Sequence, residues 1–173
     1  MAKLVITVIG DDRSGLVDAL SGVIAEHGGN WDRSHMAELA GKFAGIVLVT
    51  VDDQNTEALI ADLEPLETTG LLHITAERAM DQQPVEGGSR LQLSLVGQDH
   101  PGIVHEVSHV IATFGASIEE LETETADAPM GGHIFKAEAV IHLPAKLAAD
   151  DLHDAIEAVA TDLMVDLVPY GLE

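Results

Sequence analysis

A stretch of 19 residues occurs twice in this chain, and that repetition constrains the fold more than any other feature. Gly10-Asp11-Asp12-Arg13-Ser14-Gly15 returns as Gly97-Gln98-Asp99-His100-Pro101-Gly102 at an offset of 87, and the register runs without a gap to Gly28 and Gly115. Identities fall at Gly10, Asp12, Gly15, Val17, Ser21, Val23, Ile24, Ala25 and Gly28, nine of the 19 positions. Segments aligned at that density are copies of one unit. The 173 residues therefore read as two domains, 1–80 and 91–173, joined by a linker over 81–90. The linker expectation rests on Asp81, Gln82, Gln83, Pro84 and the pair Gly87-Gly88, a run with no apolar periodicity.

Each copy spells the same order of elements. Residues 4–9 form an apolar, β-rich run that stops at Gly10, a strand entering a turn. Leu16, Leu20, Val23, Ile24 and His27 then recur at helical spacing, and Gly28-Gly29 closes the helix. The second copy repeats this with Ile103, Val107, Val110, Ile111 and Phe114 before Gly115. Residues 31–39 and 43–51 read as a hairpin turning at Gly41, matched by 118–125 and 134–143 around a longer turn at 126–132. A second helix (56–66; 148–160) and a last strand (72–77; 163–168) complete each copy. The order β-α-β-β-α-β, twice, predicts an α+β chain of two tandem ferredoxin-like units, each an antiparallel sheet with both helices on one face. Strands apolar on both faces, residues 43–51 above all, predict cover by the other unit or by a second chain, so a homodimer is expected.

Charge narrows the partners. Lys and Arg number 8 against 30 Asp and Glu, a formal charge of −22. Both halves share it, with five basic against fifteen acidic residues in 1–86 and three against fifteen in 87–173. Such a chain repels phosphate backbones and anionic lipid, which argues against direct nucleic-acid or membrane binding. The absence of cysteine excludes disulfides, thiolate metal sites and a cysteine nucleophile. The N-terminus lacks the pattern of a signal peptide and no run of about 18 apolar residues occurs, so a cytoplasmic protein is expected.

The repeated turn is where chemistry concentrates. A strand that enters a helix within five residues leaves free N–H groups at the helix N-terminus, where the dipole favours an anion. A carboxylate suits that position, and an ammonium would want an acid such as Asp11, Asp12 or Asp99. A zwitterionic amino acid therefore fits better than a phosphate. The competing reading is that Asp12 and Asp99 only organise the turn or cap the helix, with Pro101 near the first helical position and glycines taking awkward backbone angles. Asn30 and Ser117, where the second strand of each copy begins, are further candidates to reach a ligand beside the turn, or else turn residues.

The Gly-x-Asp-x-x-Gly turn within this element order resembles the ACT domain, a regulatory module that binds amino acids. Tandem units with nothing else attached resemble the glycine cleavage system transcriptional repressor family. Asp99-His100-Pro101-Gly102 is close to the family's Asp-Arg-Pro-Gly, while Ser14 replaces the proline in Asp12-Arg13-Ser14-Gly15. Gly29-Asn30-Trp31, and Leu121 to Thr125 leading to Ala128-Pro129, add to the resemblance. It implies a non-enzymatic regulator that holds a small amino acid, without a cofactor, and signals to a partner protein such as a DNA-binding regulator. The implied ligand set is Asp11, Asp12, Arg13, Ser14, Gly15, Leu16 and Asn30 in one copy. In the other it is Asp99, His100, Pro101, Gly102, Ile103 and Ser117. The rival readings are a ligand-free interaction module, for which Ser14 and His100 are the departures, and a zinc hydrolase. His105-Glu106-Val107-Ser108-His109 does match H-E-x-x-H. Helical phase places both histidines opposite the apolar stripe, and the first copy has Asp18 and Gly22 there, so no metal or catalytic site is expected.

Overall fold

The computed structural model describes residues 1–80 and 87–171. The chain divides into two compact units, Met1–Gln82 and Gln83–Glu173. The first comprises β1 (Ala2–Asp11), α1 (Leu16–Glu26), β2 (Asn30–Leu39), β3 (Lys42–Val51), α2 (Thr56–Thr68) and β4 (His73–Arg78). The second comprises β5 (Ser89–Gln98), α3 (Ile103–Thr113), β6 (Ser117–Asp127), β7 (His133–Leu143), α4 (Ala149–Val159) and β8 (Leu163–Pro169). The sheets have the order β2-β3-β1-β4 and β6-β7-β5-β8, with every neighbouring pair antiparallel. This is the expected tandem ferredoxin-like fold. Most of the expected linker, residues 81–86, lies outside the described residues. Its last two positions need correction, because Ser89 and Arg90 already pair with Leu143 and His142 as the first rungs of β5. Ala126 and Asp127, read as turn residues, likewise pair with Ile134 and His133.

Two periodicities build each core. Ala2, Leu4, Ile6 and Val8 alternate inward from β1 and meet Leu16, Leu20 and Ile24 of α1 with Leu59 and Leu63 of α2. Leu91, Leu93 and Leu95 do the same in β5, against Ile103, Val107, Val110 and Ile111 of α3 and Leu152 and Ile156 of α4. Each such buried leucine, isoleucine or valine side chain contributes about 1.5–3 kcal/mol. The opposite sheet faces differ. In the first unit that face is apolar, with Val5 beside Leu48 and Ile9 beside Ala44, and Ile9 and Ile46 stay 48 % and 45 % exposed. In the second it is polar, because Gln92 Nε2 and Ser94 Oγ donate to Glu138 Oε2 at 2.9 and 2.7 Å. The expectation of strands apolar on both faces thus holds for the first unit only.

Two glycines of the repeat are fixed by close approach. A Cβ on Gly10 would sit 2.6 Å from the Leu71 carbonyl oxygen, and one on Gly97 would run into the Asp162 carbonyl. In both units the connection from the second helix into the last strand crosses the end of the first strand there. The β2–β3 turn is strained instead: Ala40 (φ 52°) precedes Gly41 (φ 79°) in a two-residue loop between the paired Leu39 and Lys42. A left-handed conformation costs a residue with a Cβ about 1–2 kcal/mol. Ala40→Gly should therefore raise the stability of the first unit by up to about 1 kcal/mol, since glycine's extra unfolded-state freedom offsets part of the relief. Urea denaturation checks this, and an unchanged or lower midpoint would contradict it.

Candidate functional site

The β1–α1 and β5–α3 turns have one construction. Gly15 (φ 87°) and Gly102 (φ 99°) are the N-cap residues of α1 and α3, and no side chain caps either helix. The first helical bonds are Ala19 N–H to the Gly15 carbonyl and Glu106 N–H to the Gly102 carbonyl, each 2.9 Å. The N–H groups before them, from Leu16 and Ile103 onward, are left for solvent or an anion. Asp12 and Asp99 do not cap the helices, since both stand three residues before the caps and glycine holds that position at a positive φ, as the competing reading expects of the glycines; a part in organising the turn stays open to both acids. Pro101 lies near the first helical position, two residues before Ile103 and directly before the cap. A Cβ on Gly15 would meet nothing within 4 Å, and one on Gly102 only Glu106 Oε1 at 3.7 Å. Glycine is therefore required by backbone angle, and the space before each turn is open.

The hairpin turn lies against each site. Asp12 N–H donates to the Gly41 carbonyl at 2.9 Å, and Asp99 N–H to the His133 carbonyl at 3.0 Å. This fixes both backbones while the Asp12 and Asp99 carboxylates, both exposed, make no hydrogen bond or ion pair among the described residues. Asp11 differs, because the Lys42 ammonium bonds to its carboxylate and holds it below the usual carboxylate range. An ammonium ligand would have to displace Lys42, so Asp11 is the poorest of the three acids for that role. Arg13 Nη2 donates to the Gly70 carbonyl at 2.8 Å, where α2 ends. The matched His100 turns its Nδ1 toward the Pro101 carbonyl at 3.1 Å instead. The first site therefore has a guanidinium at its edge and the second has an imidazole.

Asn30 and Ser117 do not join these turns. Asn30 pairs with Thr50, which pairs with Lys3, whereas the turn follows Asp11 at the other end of β1. Eight residues of strand, roughly 27 Å, separate the two ends. Ser117 pairs with His142 beside Arg90, again far along the sheet from Gln98. The first helix of each unit runs the length of the sheet before the second strand begins, which places the start of that strand opposite the turn. What Asn30 does is local. Its Nδ2 donates to Asp32 Oδ1 at 2.5 Å, and Thr50 Oγ1 donates to Asp32 Oδ2 at 2.5 Å. Asp32 is the extra residue of a β-bulge between Trp31 and Arg33. Glu119 is the extra residue of the matching bulge in β6, and it accepts from Arg90 Nε at 2.7 Å, with Arg90 stacked 4.4 Å from the Tyr170 ring. The sequence reading passed over these bulges, although the aligned acids Asp32 and Glu119 were their signal.

Thr50 first, and Asn30 second, hold the Asp32 carboxylate below its usual range. A depressed pKa means stability present above the ordinary value, about 3.9, and lost as pH falls through the folded value. The first unit should therefore lose stability below about pH 4. Asp32→Asn should reduce that loss in denaturation curves taken from pH 6 to 3, leaving the part due to Asp11 and Asp53, and an unchanged slope would contradict the assignment.

The H-E-x-x-H residues do not gather. His105, Glu106 and His109 are exposed on α3, and the two imidazoles stand 6.1 Å apart, centroid to centroid. Among the described residues the one group of three or more potential metal ligands within 4.8 Å of one another is His153, Asp154 and Glu157 on α4. His153 Nε2 already bonds to the Val165 carbonyl at 3.2 Å, tying that helix to β8. No helix among the described residues is long and apolar enough to cross a membrane.

With this geometry in view, likeness to known proteins can be placed on it. A family model of the ACT domain matches residues 2–76. The glycine cleavage system transcriptional repressor of Escherichia coli (strain K12) is 27 % identical over 165 residues, which span 92 % of this chain and 85 % of the repressor. A crystal structure of an unknown protein from Galdieria sulphuraria is 32 % identical with a TM-score of 0.86, covering 97 % of this chain and 98 % of that one. A candidate glycine cleavage system transcriptional repressor of solved structure has a TM-score of 0.68 at 18 % identity, over 96 % and 95 % of the two chains, and shares the fold.

Proposed function

We propose that this chain, a tandem ACT-domain protein resembling the glycine cleavage system transcriptional repressor family, is a regulatory protein without enzymatic activity that binds a small amino acid at its β1–α1 and β5–α3 turns. Its two domains, the second beginning with β5 at Ser89, each contribute one such turn. The bound state is read by a partner protein, a DNA-binding regulator in control of amino-acid (glycine) metabolism genes, because a charge of −22 disfavours direct contact with DNA. A homodimer in the cytoplasm is the form in which it acts.

The observation that carries the reading is the repeated pairing of an uncapped helix N-terminus with an unpartnered carboxylate. The N–H groups suit the ligand carboxylate, and Asp12 or Asp99 suits its ammonium. Glycine at both caps keeps the approach clear. Arg13 adds a cation at the edge of the first site for the same ligand carboxylate. A thermal-shift screen of the full chain against the twenty amino acids tests this. A ligand present at a hundred times its Kd adds about 2.7 kcal/mol to native stability, a readily measured shift. At least one small amino acid should raise the melting temperature. No shift from any of them, at concentrations up to tens of millimolar, would leave a ligand-free interaction module.

A further inference from the structure

Because the two units are copies, a space that one fills and the other leaves open is informative. In the second unit α3 and the sheet enclose an apolar cavity of about 20 Å³, walled by Leu95, Ile103, Val107, Phe135, Ala137 and Thr123. Val104 and Leu121 also line it, and at 45 % and 49 % exposed they form its mouth. Strand register identifies the counterpart of each wall in the first unit. Thr123 faces Ala137 as Met36 faces Gly45, Ile118 faces Ile141 as Trp31 faces Val49, and Leu121 faces Ala139 as Ser34 faces Val47. In the first unit Met36 lies over Gly45 so closely that a Cβ there would run into Met36 Cγ, and Trp31 and Met36 both pack on the core. The first unit thus covers this wall with its own thioether chain and indole. The second has threonine, isoleucine and alanine in place of methionine, tryptophan and valine, which leaves the space open; where it has the larger residue, Leu121 for Ser34, that side chain stays half exposed at the rim.

The cavity adjoins the second turn. Ile103 directly follows the N-cap Gly102, and Phe135 pairs with Gly97, two residues before Asp99. A ligand carboxylate on the first N–H groups of α3 would hold its Cα in the open space before Gly102, and its side chain would enter at the exposed Val104, since Ile103 itself is buried. We propose that this cavity takes the aliphatic side chain of an amino acid, of the size of leucine or methionine, and makes the second site selective where the first is not. The inference rests on the reading of the turns as amino-acid sites. The enclosed space admits about one methyl group or water at rest, so entry of a longer chain requires the exposed Leu121 side chain to turn outward, while Val104, β-branched and helical, keeps its one rotamer. Burying an isobutyl group in such a site strengthens binding roughly ten- to hundredfold over glycine, and a polar side chain would lose its hydrogen bonds to water there.

Calorimetric titration of the full chain with L-leucine, L-methionine and glycine tests the inference. The wild type should bind leucine or methionine at one site at least tenfold more tightly than glycine. The double substitution Thr123→Met/Ala137→Gly copies the Met36–Gly45 pair, and should bring leucine down to the affinity of glycine while leaving glycine unchanged. Ala139→Val, which copies Val47, narrows the cavity by one residue and should weaken leucine alone; melting curves establish that each variant is folded. Glycine bound as tightly as leucine, or leucine binding unmoved in the folded variants, would overturn the cavity's role while leaving the turns as amino-acid sites. No heat from any of the three, together with a silent screen of all twenty, would overturn both.

Discussion

Replacing Gly97 by valine is expected to destabilise the second unit by about 3 kcal/mol or more, the largest effect of any single substitution considered for this chain. Gly97 pairs with Phe135 on one side and Leu163 on the other, so it sits in a central strand and cannot move alone. Its added Cβ would meet the Asp162 carbonyl, Leu163 Cδ2 at 2.6 Å and Leu163 Cα at 2.9 Å. Two of these are backbone atoms, so the connection from α4 into β8 would have to lift off the sheet. Gly102→Val makes the control, because its Cβ meets no such obstruction and its cost is that of the positive backbone angle, about 1–3 kcal/mol. Urea denaturation of both variants measures the difference. A Gly97→Val protein no less stable than Gly102→Val would show that the strand end has room, against the close approach described.

Asp99→Asn should lower amino-acid affinity at the second turn by roughly 10- to 150-fold, since a charge-assisted hydrogen bond contributes about 1.5–3 kcal/mol. Stability should hardly change. The Asp99 carboxylate has no partner to lose among the described residues, and the backbone bond from its N–H to His133 survives the substitution. Asp12→Asn should act in the same way at the first turn, so the two variants separate the sites in a titration. Unchanged affinity with unchanged stability would remove the ammonium-binding role from both acids.

How far the sequence carried this account depended on the range of the interaction. The repeat and the alternation of Leu4, Ile6 and Val8 with Leu16, Leu20 and Ile24 specified elements and core, because both periodicities are local. The turns were legible for the same reason. Gly10 and Gly97 were visible as conserved between the copies, yet their cause, a chain crossing from 61 to 65 residues later in the sequence, is not local and could not be read. Asn30 and Ser117 were misplaced because they follow the helix closely in sequence, and a helix spanning the sheet carries the chain to its far end. Asp32 and Glu119 were passed over because a bulge shifts a strand by one residue without changing its composition. The cavity depends on Met36 facing Gly45 where Thr123 faces Ala137, a comparison that needs register as well as alignment.

The central claim is that an amino acid sits at the two helix N-termini. Backbone amide chemical shifts, recorded by NMR while the amino acid that most raises the melting temperature is titrated in, report on that position directly. The largest and saturable changes should fall on residues 12–18 and 99–105, where the N–H groups of α1 and α3 are uncapped. Saturable changes confined to other residues, such as the far sheet ends around Asn30 and Ser117, would contradict it.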